Sequence, residues 1–467
     1  VFTGLAAFLF ALGSGGWCQN ATSDAGQLDR KFQMASAEFE SGHFAEASVH
    51  LEGLLRQVPD SFEIHELLAL SYSAQSEDTK ANQHFQKAVQ LKPDSGAART
   101  NLATNLVRLG KYAPAEEQFA QAVKLEPRSY DANHNLGEFY VQIGKISKAT
   151  LFLERAQKVN PGSYDNGYDL SLAYAETGRL SDARQLVHNL LKQKDTAELH
   201  NLLAQVEEKD GQFVTAATEF ELAAHMDPTE SHLFDWASEM LLHRTLDPAI
   251  KVFKEATERY PASPRLAIGL GIALYSRGNY DDAVKSLLRA ADLNPRDPRC
   301  YLFLSKAYDS SPSQADEVIE RFRRFAELQP DNARAAYYYA ISLWKGKRAQ
   351  DPNVDFQKIE SLLRKAIARD EKFAEAHFQL GNLLSDQSHY ADAIPEYLKA
   401  LENNSDIPDA HYRLGQAYVH TGQKDKAQAQ LAIYQEQRAQ HLADLDKQRA
   451  EIRQFVYSEE SGASTKQ

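Results

Sequence analysis

Residue types able to hold a phosphate, a metal or a reacting group occur along this chain, but their spacing keeps them apart. Gly269-Leu270-Gly271 opens like the glycine-rich turn that cradles a dinucleotide, which needs a third glycine, a preceding strand and a following helix. No third glycine follows at the required spacing, and the pair lies inside a helical apolar pattern, so these glycines read as packing positions. Gly110-Lys111 and Gly144-Lys145 lack the glycine-rich approach of a phosphate loop and read as turns between helices. His65-Glu66 begins a zinc-protease helix but lacks its second histidine, and the other histidines are dispersed. Cys300 alone supports neither a Cys-rich metal site nor a paired nucleophile. The expectation is a non-catalytic chain with no cofactor and no metal.

Composition narrows the class further. The 467 residues carry 52 basic and 65 acidic side chains, a formal charge of -13, which opposes a broad nucleic-acid footprint built on clustered Lys and Arg. Two cysteines rule out a disulfide scaffold. At the amino end no charge precedes Asp24, and Leu5 to Leu12 is apolar and followed by Gly13, Ser14, Gly15 and Gly16. That is the form of a signal-peptide core, well short of the roughly 20 apolar residues of a spanning helix. Residues 1–21 are therefore expected to be a cleaved export signal, with cleavage near Cys18 or Ala21, and an uncleaved membrane anchor is the competing reading. Trp17 before Cys18 does not fit a lipoprotein signal. Export would place the protein in the periplasm or outside the cell, with membrane association through the amino end only.

The elements come from a spacing. Pro59, Pro93, Pro127 and Pro161 stand 34 residues apart, and the series resumes at Pro228, Pro261, Pro295 and Pro330, leaving room for one unit that has Asp195 in place of its proline. A period of this size marks a stacked array. Before each proline runs a helical stripe, as in Ala115, Phe119 and Ala122 or Ala149, Leu153 and Ala156, on the i, i+4, i+7 pattern. A second stripe, as in Leu102 and Ala103 or Leu136 and Gly137, adds another helix to each unit. Small residues in these stripes let two helices approach closely. Gly110, Gly144, Gly178, Gly211, Gly278 and Gly422 fall where a left-handed residue would end the first helix. Pro114 and Pro248 open second helices, and Pro395 is expected within the first turn of its own.

This pattern resembles the tetratricopeptide repeat family, most clearly in Gly96 to Pro127 and in Tyr130 to Pro161. Twelve units are read, starting near Leu28, Phe62, Gly96, Tyr130, Tyr164, Ala197, Glu230, Pro264, Pro298, Ala333, Ala374 and Pro408. The resemblance implies an all-α, right-handed superhelical solenoid of about twelve helix pairs over residues 28–435, with a C-terminal capping helix at 436–457 and a disordered tail at 458–467. Unit ten is longer than the rest, the excess falling in Lys345 to Asn353 as a projecting turn or tolerated insertion, and Ser310-Ser-Pro-Ser313 interrupts unit nine.

The resemblance also implies the mode of action: a scaffold whose concave face, lined by first helices, holds a peptide or partner protein. Some members grip a terminal carboxylate with basic residues on successive first helices, but Glu66, Leu70, Thr100 and Thr104 occupy those places here, so that clamp is not expected. An aromatic run of Phe303, Tyr337, Tyr338, Ile341, Trp344 and Phe378 either lines the groove or packs first helix on first helix. Asn101 and Asn135 match groove asparagines in similar repeats that precede a glycosyltransferase domain. The leading expectation is an exported bacterial interaction scaffold in envelope assembly, secretion or polysaccharide handling. A glycosyltransferase-associated module and a co-chaperone are the alternatives.

Overall fold

The computed structural model describes residues 23–310, 314–346 and 354–440, and all regular structure among them is helical. The chain divides into two compact units at Met226/Asp227. In the first, six helix pairs follow one another: α1 (Ser23–Glu40) and α2 (Phe44–Leu55), α3 (Phe62–Ala74) and α4 (Asp78–Leu91), α5 (Gly96–Arg108) and α6 (Tyr112–Leu125), α7 (Tyr130–Gln142) and α8 (Ile146–Val159), α9 (Tyr164–Glu176) and α10 (Leu180–Leu191), α11 (Ala197–Lys209) and α12 (Phe213–Met226). The second holds α13 (Glu230–Leu242) and α14 (Leu246–Arg259), α15 (Pro264–Arg277) and α16 (Tyr280–Leu293), α17 (Pro298–Ser310) and α18 (Ala315–Leu328), α19 (Ala333–Gly346) and α20 (Phe356–Arg369), α21 (Ala374–Asp386) and α22 (Tyr390–Asn403), then α23 (Pro408–His420) and α24 (424–440).

From the second unit onward the first helices start where the 34-residue spacing puts them, whereas the first starts at Ser23 rather than Leu28. One of the expectations changes. Pro395 lies in the second turn of α22, not the first, because that helix begins at Tyr390. At that depth its ring removes a bond inside the helix. α24 is helical over the described residues 424–440. The expected signal or anchor at 1–21, most of the long turn of unit ten, Ser311 to Ser313, the rest of the cap and the tail lie outside the described residues.

Within each compact unit, a second helix packs on its own first helix and on the next first helix, as α4 does on α3 and α5. Ala115, Phe119, Ala149 and Leu153 are fully buried in that seam. A Cβ at Gly137 would lie 2.6 Å from Leu153 Cγ, and one at Gly271 2.5 Å from Leu287 Cγ, so these helices touch only because the side chain is absent. The stretch Gly269-Leu-Gly271 is thereby assigned to packing. The turn glycines, such as Gly110 at φ 71, are left-handed, and Ser76, Arg244, Gln314 and Ser388 hold the same conformation without glycine.

First helices are also anchored at their starts. Ser61, Ser95, Ser129, Ser163, Thr196, Thr229 and Ser263 each accept a hydrogen bond from the backbone N–H three residues on, a cap typically worth about 1 kcal/mol. Four of the dispersed histidines prove to be one device. His65, His200, His377 and His411 all occupy the fourth residue of a first helix, and each ring bonds to the side chain 19 residues later on the paired helix: His84, Glu219, Glu396 and Gln430. Arg99 does the same with Gln118.

Candidate partner-binding faces

Because second helices fill the seams, first helices lie beside one another, α5 on α7, α7 on α9 and α9 on α11 in the first unit, and α13 on α15, α15 on α17 and α17 on α19 in the second. The side of each that no second helix covers is the surface available to a ligand.

In the first unit this face is polar. Asn101 on α5 donates through Nδ2 to Glu66 Oε1 on α3, tying two first helices together. Asn135, at the same place one unit later, donates instead to the carbonyl of Asp131 in its own helix, at 2.7 Å. The Tyr130 hydroxyl meets Ser163 Oγ at 2.6 Å, and the Tyr164 hydroxyl meets Thr196 Oγ1 at 3.1 Å. Carboxylates dominate the charge. Burial holds Glu66, Asp131 and Glu138 above the ordinary carboxylate range. Burial, with the Asp165 carboxylate beside it, pushes Asp169 up to about 6.

A carboxyl whose folded pKa is raised destabilises the fold once it ionises, so its contribution is least harmful at low pH and worst above pH 6. Asp169→Asn is therefore expected to raise stability at pH 7.5 by on the order of 1–2 kcal/mol, a figure reduced for its partial contact with water. Below about pH 4 the gain should vanish, since Asp169 is then protonated in both states. Urea denaturation at the two pH values reads this, and equal gains at both would refute it.

In the second unit the structure splits the aromatic run. Tyr338 is 7 % exposed and Ile341 5 %, and Tyr338 turns to Phe322 on α18, centroids 5.7 Å apart. Neither offers surface to a partner. Tyr337, Trp344 and Phe378 are half-buried against one core cluster that includes Ile341, and Tyr337 packs on Phe373 at 5.0 Å. Phe303 is half-buried on α17 with the Lys306 ammonium 5.6 Å from its ring. The split follows from α19, whose Ala-Ala-Tyr-Tyr-Tyr-Ala-Ile is apolar on nearly every side and so has no single face legible from period alone.

Among the described residues no group of three or more His, Cys, Asp or Glu is arranged to hold a metal ion. Cys300 is fully buried, its thiol donates to the Asp297 carbonyl at 3.1 Å, and burial pushes it up to about 12, the environment of an inert thiol. Also among the described residues, no helix is long and apolar enough to cross a membrane.

Helix pairs that repeat at a fixed period, each closing its apolar stripe on the next, define a helical repeat protein. A tetratricopeptide repeat model matches residues 32–96, 100–164, 244–298 and 378–441, and a second tetratricopeptide repeat model matches 144–206. The chain belongs to the tetratricopeptide repeat family. It is 26% identical over 218 residues to human protein O-mannosyl-transferase TMTC3, and 25% over 208 residues to the mouse protein. These matches take in 44% and 42% of this chain but only 22% and 21% of the transferases, so the chain spans about a fifth of their length. Among solved structures, a tetratricopeptide repeat protein of Parabacteroides merdae aligns at a TM-score of 0.44 and 16% identity, over 53% of this chain and 98% of that one. PilF of Pseudomonas aeruginosa aligns at 0.40 and 20%, over 45% of this chain and 96% of its own.

Proposed function

We propose that this chain is a non-catalytic scaffold that holds a peptide or extended segment of a partner protein against its first helices. The observation that carries the reading is that successive first helices lie side by side and keep polar and aromatic groups half-exposed: Asn101 and Asn135 in one unit, Phe303, Tyr337, Trp344 and Phe378 in the other. A preformed face avoids much of the ordering entropy that a flexible receptor loses on binding. Envelope assembly or secretion, after export, is the setting this reading favours.

Photo-crosslinking residues placed at 135, 303 and 378 should capture partner protein from the native compartment, whereas the same group at Leu151 and Leu398, exposed on second helices, should not. Equal capture from both sets would sink the reading. Phe303→Ala with Trp344→Ala should weaken capture by roughly 5- to 30-fold, the effect of about 1–2 kcal/mol at an aromatic anchor. Loss of folding with no selective loss of capture would remove those two residues from the site.

The similarity to protein O-mannosyl-transferases supports a second reading, in which the repeats serve as the partner-binding module of a glycosyltransferase. Mannosyl transfer by material co-purified with the full chain, absent after mock purification, would favour it.

A further inference from the structure

Three first helices of the first unit carry acids unmatched by any Lys or Arg of their own. α3, α7 and α9 contain no Lys or Arg, yet carry Glu63, Glu66, Asp131, Glu138, Asp165 and Asp169. α5, between α3 and α7, carries Arg99 and Arg108, but these turn to the second helices, Arg99 bonding Gln118 on α6 and Arg108 pairing with Asp78 on α4. The acids in the first turns, Glu63, Asp131 and Asp165, have a structural reason, since they oppose the positive end of the helix dipole. Glu138 and Asp169 have none, and Glu66 has only the bond from Asn101. They lie beyond the first turn and half-buried, and no ion pair among the described residues reaches them.

Glu66 adds an independent sign of a missing donor. Its Oε1 accepts from Asn101, but Oε2 is shielded from solvent and has no hydrogen-bond partner. A shielded acceptor left open costs stability, as do carboxylates buried without a counter-charge. The one bond that Glu66 takes from Asn101 leaves the rest of this cost uncompensated. Departures of this kind from local rules concentrate at functional sites. Tyr130 and Tyr168 lie half-buried near Asp169, supplying ring faces and apolar surface for a long cationic side chain.

We infer that the first-helix face of the N-terminal unit, through Glu66, Glu138 and Asp169, recognises an extended segment of a partner protein that carries lysine or arginine. This rests on the scaffold reading and adds the partner's chemistry to it. Stacked helices lie about 8–10 Å apart and an extended chain advances about 3.3 Å per residue. Cations meeting Glu138 and Asp169, on neighbouring first helices, therefore stand about three residues apart, and one meeting Glu66 about six residues further along.

The test uses the full chain and fluorescein-labelled, serine-rich peptides whose three lysines follow that spacing, in either direction, with glutamine-for-lysine peptides as controls. Fluorescence anisotropy at physiological ionic strength should show lysine-dependent binding. Glu66→Gln, Glu138→Gln and Asp169→Asn together should weaken it at least about ten-fold. An equal change of net charge at the exposed Glu46, Asp94 and Glu117 should change it less than about two-fold. Glu66→Gln keeps an acceptor for Asn101, and circular dichroism of the triple variant separates loss of binding from loss of folding. Equal losses in the two sets, equal binding of the lysine and glutamine peptides, or no binding of either would overturn the inference. Failure of the scaffold reading itself shows separately, as equal cross-linking from both kinds of helix.

Discussion

Tyr301→Ala is expected to cost about 3–5 kcal/mol of the stability of the C-terminal unit, the range for truncating a large aromatic ring in a core. Tyr301 is fully buried in α17. Its ring stacks on Phe325 with centroids 4.0 Å apart and planes 10° apart, and meets Phe322 at 5.9 Å. These contacts hold α17 against its paired helix α18. The hydroxyl donates to the Pro295 carbonyl at 3.1 Å, so truncation also strips a donor from the turn that leads into the helix. Tyr301→Phe keeps the stack and removes only that bond, which should cost about 0.5–1.5 kcal/mol. Urea denaturation gives both numbers, and hydrogen exchange should show α17 and α18 losing protection together. A cost below about 1 kcal/mol for the alanine variant would mean that the stack contributes little.

The second large effect belongs to Arg184 on α10. Its guanidinium forks onto Glu207, Nε to Oε1 at 2.5 Å and Nη2 to Oε2 at 2.9 Å, and Nη2 also reaches Asp210 Oδ2 at 2.5 Å. Glu207 is only 4 % exposed on α11. Arg184→Leu leaves that carboxylate buried without its partner, and the expected cost is about 2–4 kcal/mol, below the full range for a buried pair because Arg184 itself is partly open to water. Arg184→Leu with Glu207→Leu should recover much of the loss, since the penalty lies in the orphaned charge and not in the missing attraction. A double variant no more stable than the single one would refute this account.

The prolines at a 34-residue step, the alanine and leucine or phenylalanine stripes and the glycines between them were enough to place every first helix from Phe62 onward. They are local and repeated, so each unit confirms its neighbour. The serine and threonine caps were equally periodic, from Ser61 to Ser263, and could have been read by the same counting. The histidines concealed their order because only some units use one. His65, His200 and His377 look scattered until each is numbered from the start of its own helix.

Asn101 and Asn135 mark where such counting stops. They fill one place in the repeat, yet Asn101 binds Glu66 across helices and Asn135 binds its own backbone. The difference lies in the neighbouring unit, which a residue's own position does not encode.

What the amino-acid order determined alone was the repeat, the helix pairing and the small residues of the seams, because these follow from period and side-chain size within about 34 residues. Which side chains remain open to a ligand was decided only by packing. Tyr338 and Ile341 were drawn inward by α18 and its neighbours while Trp344, a turn away, stayed half-exposed. Exposure depends on every element that surrounds a residue, and those elements meet only once the stack has formed.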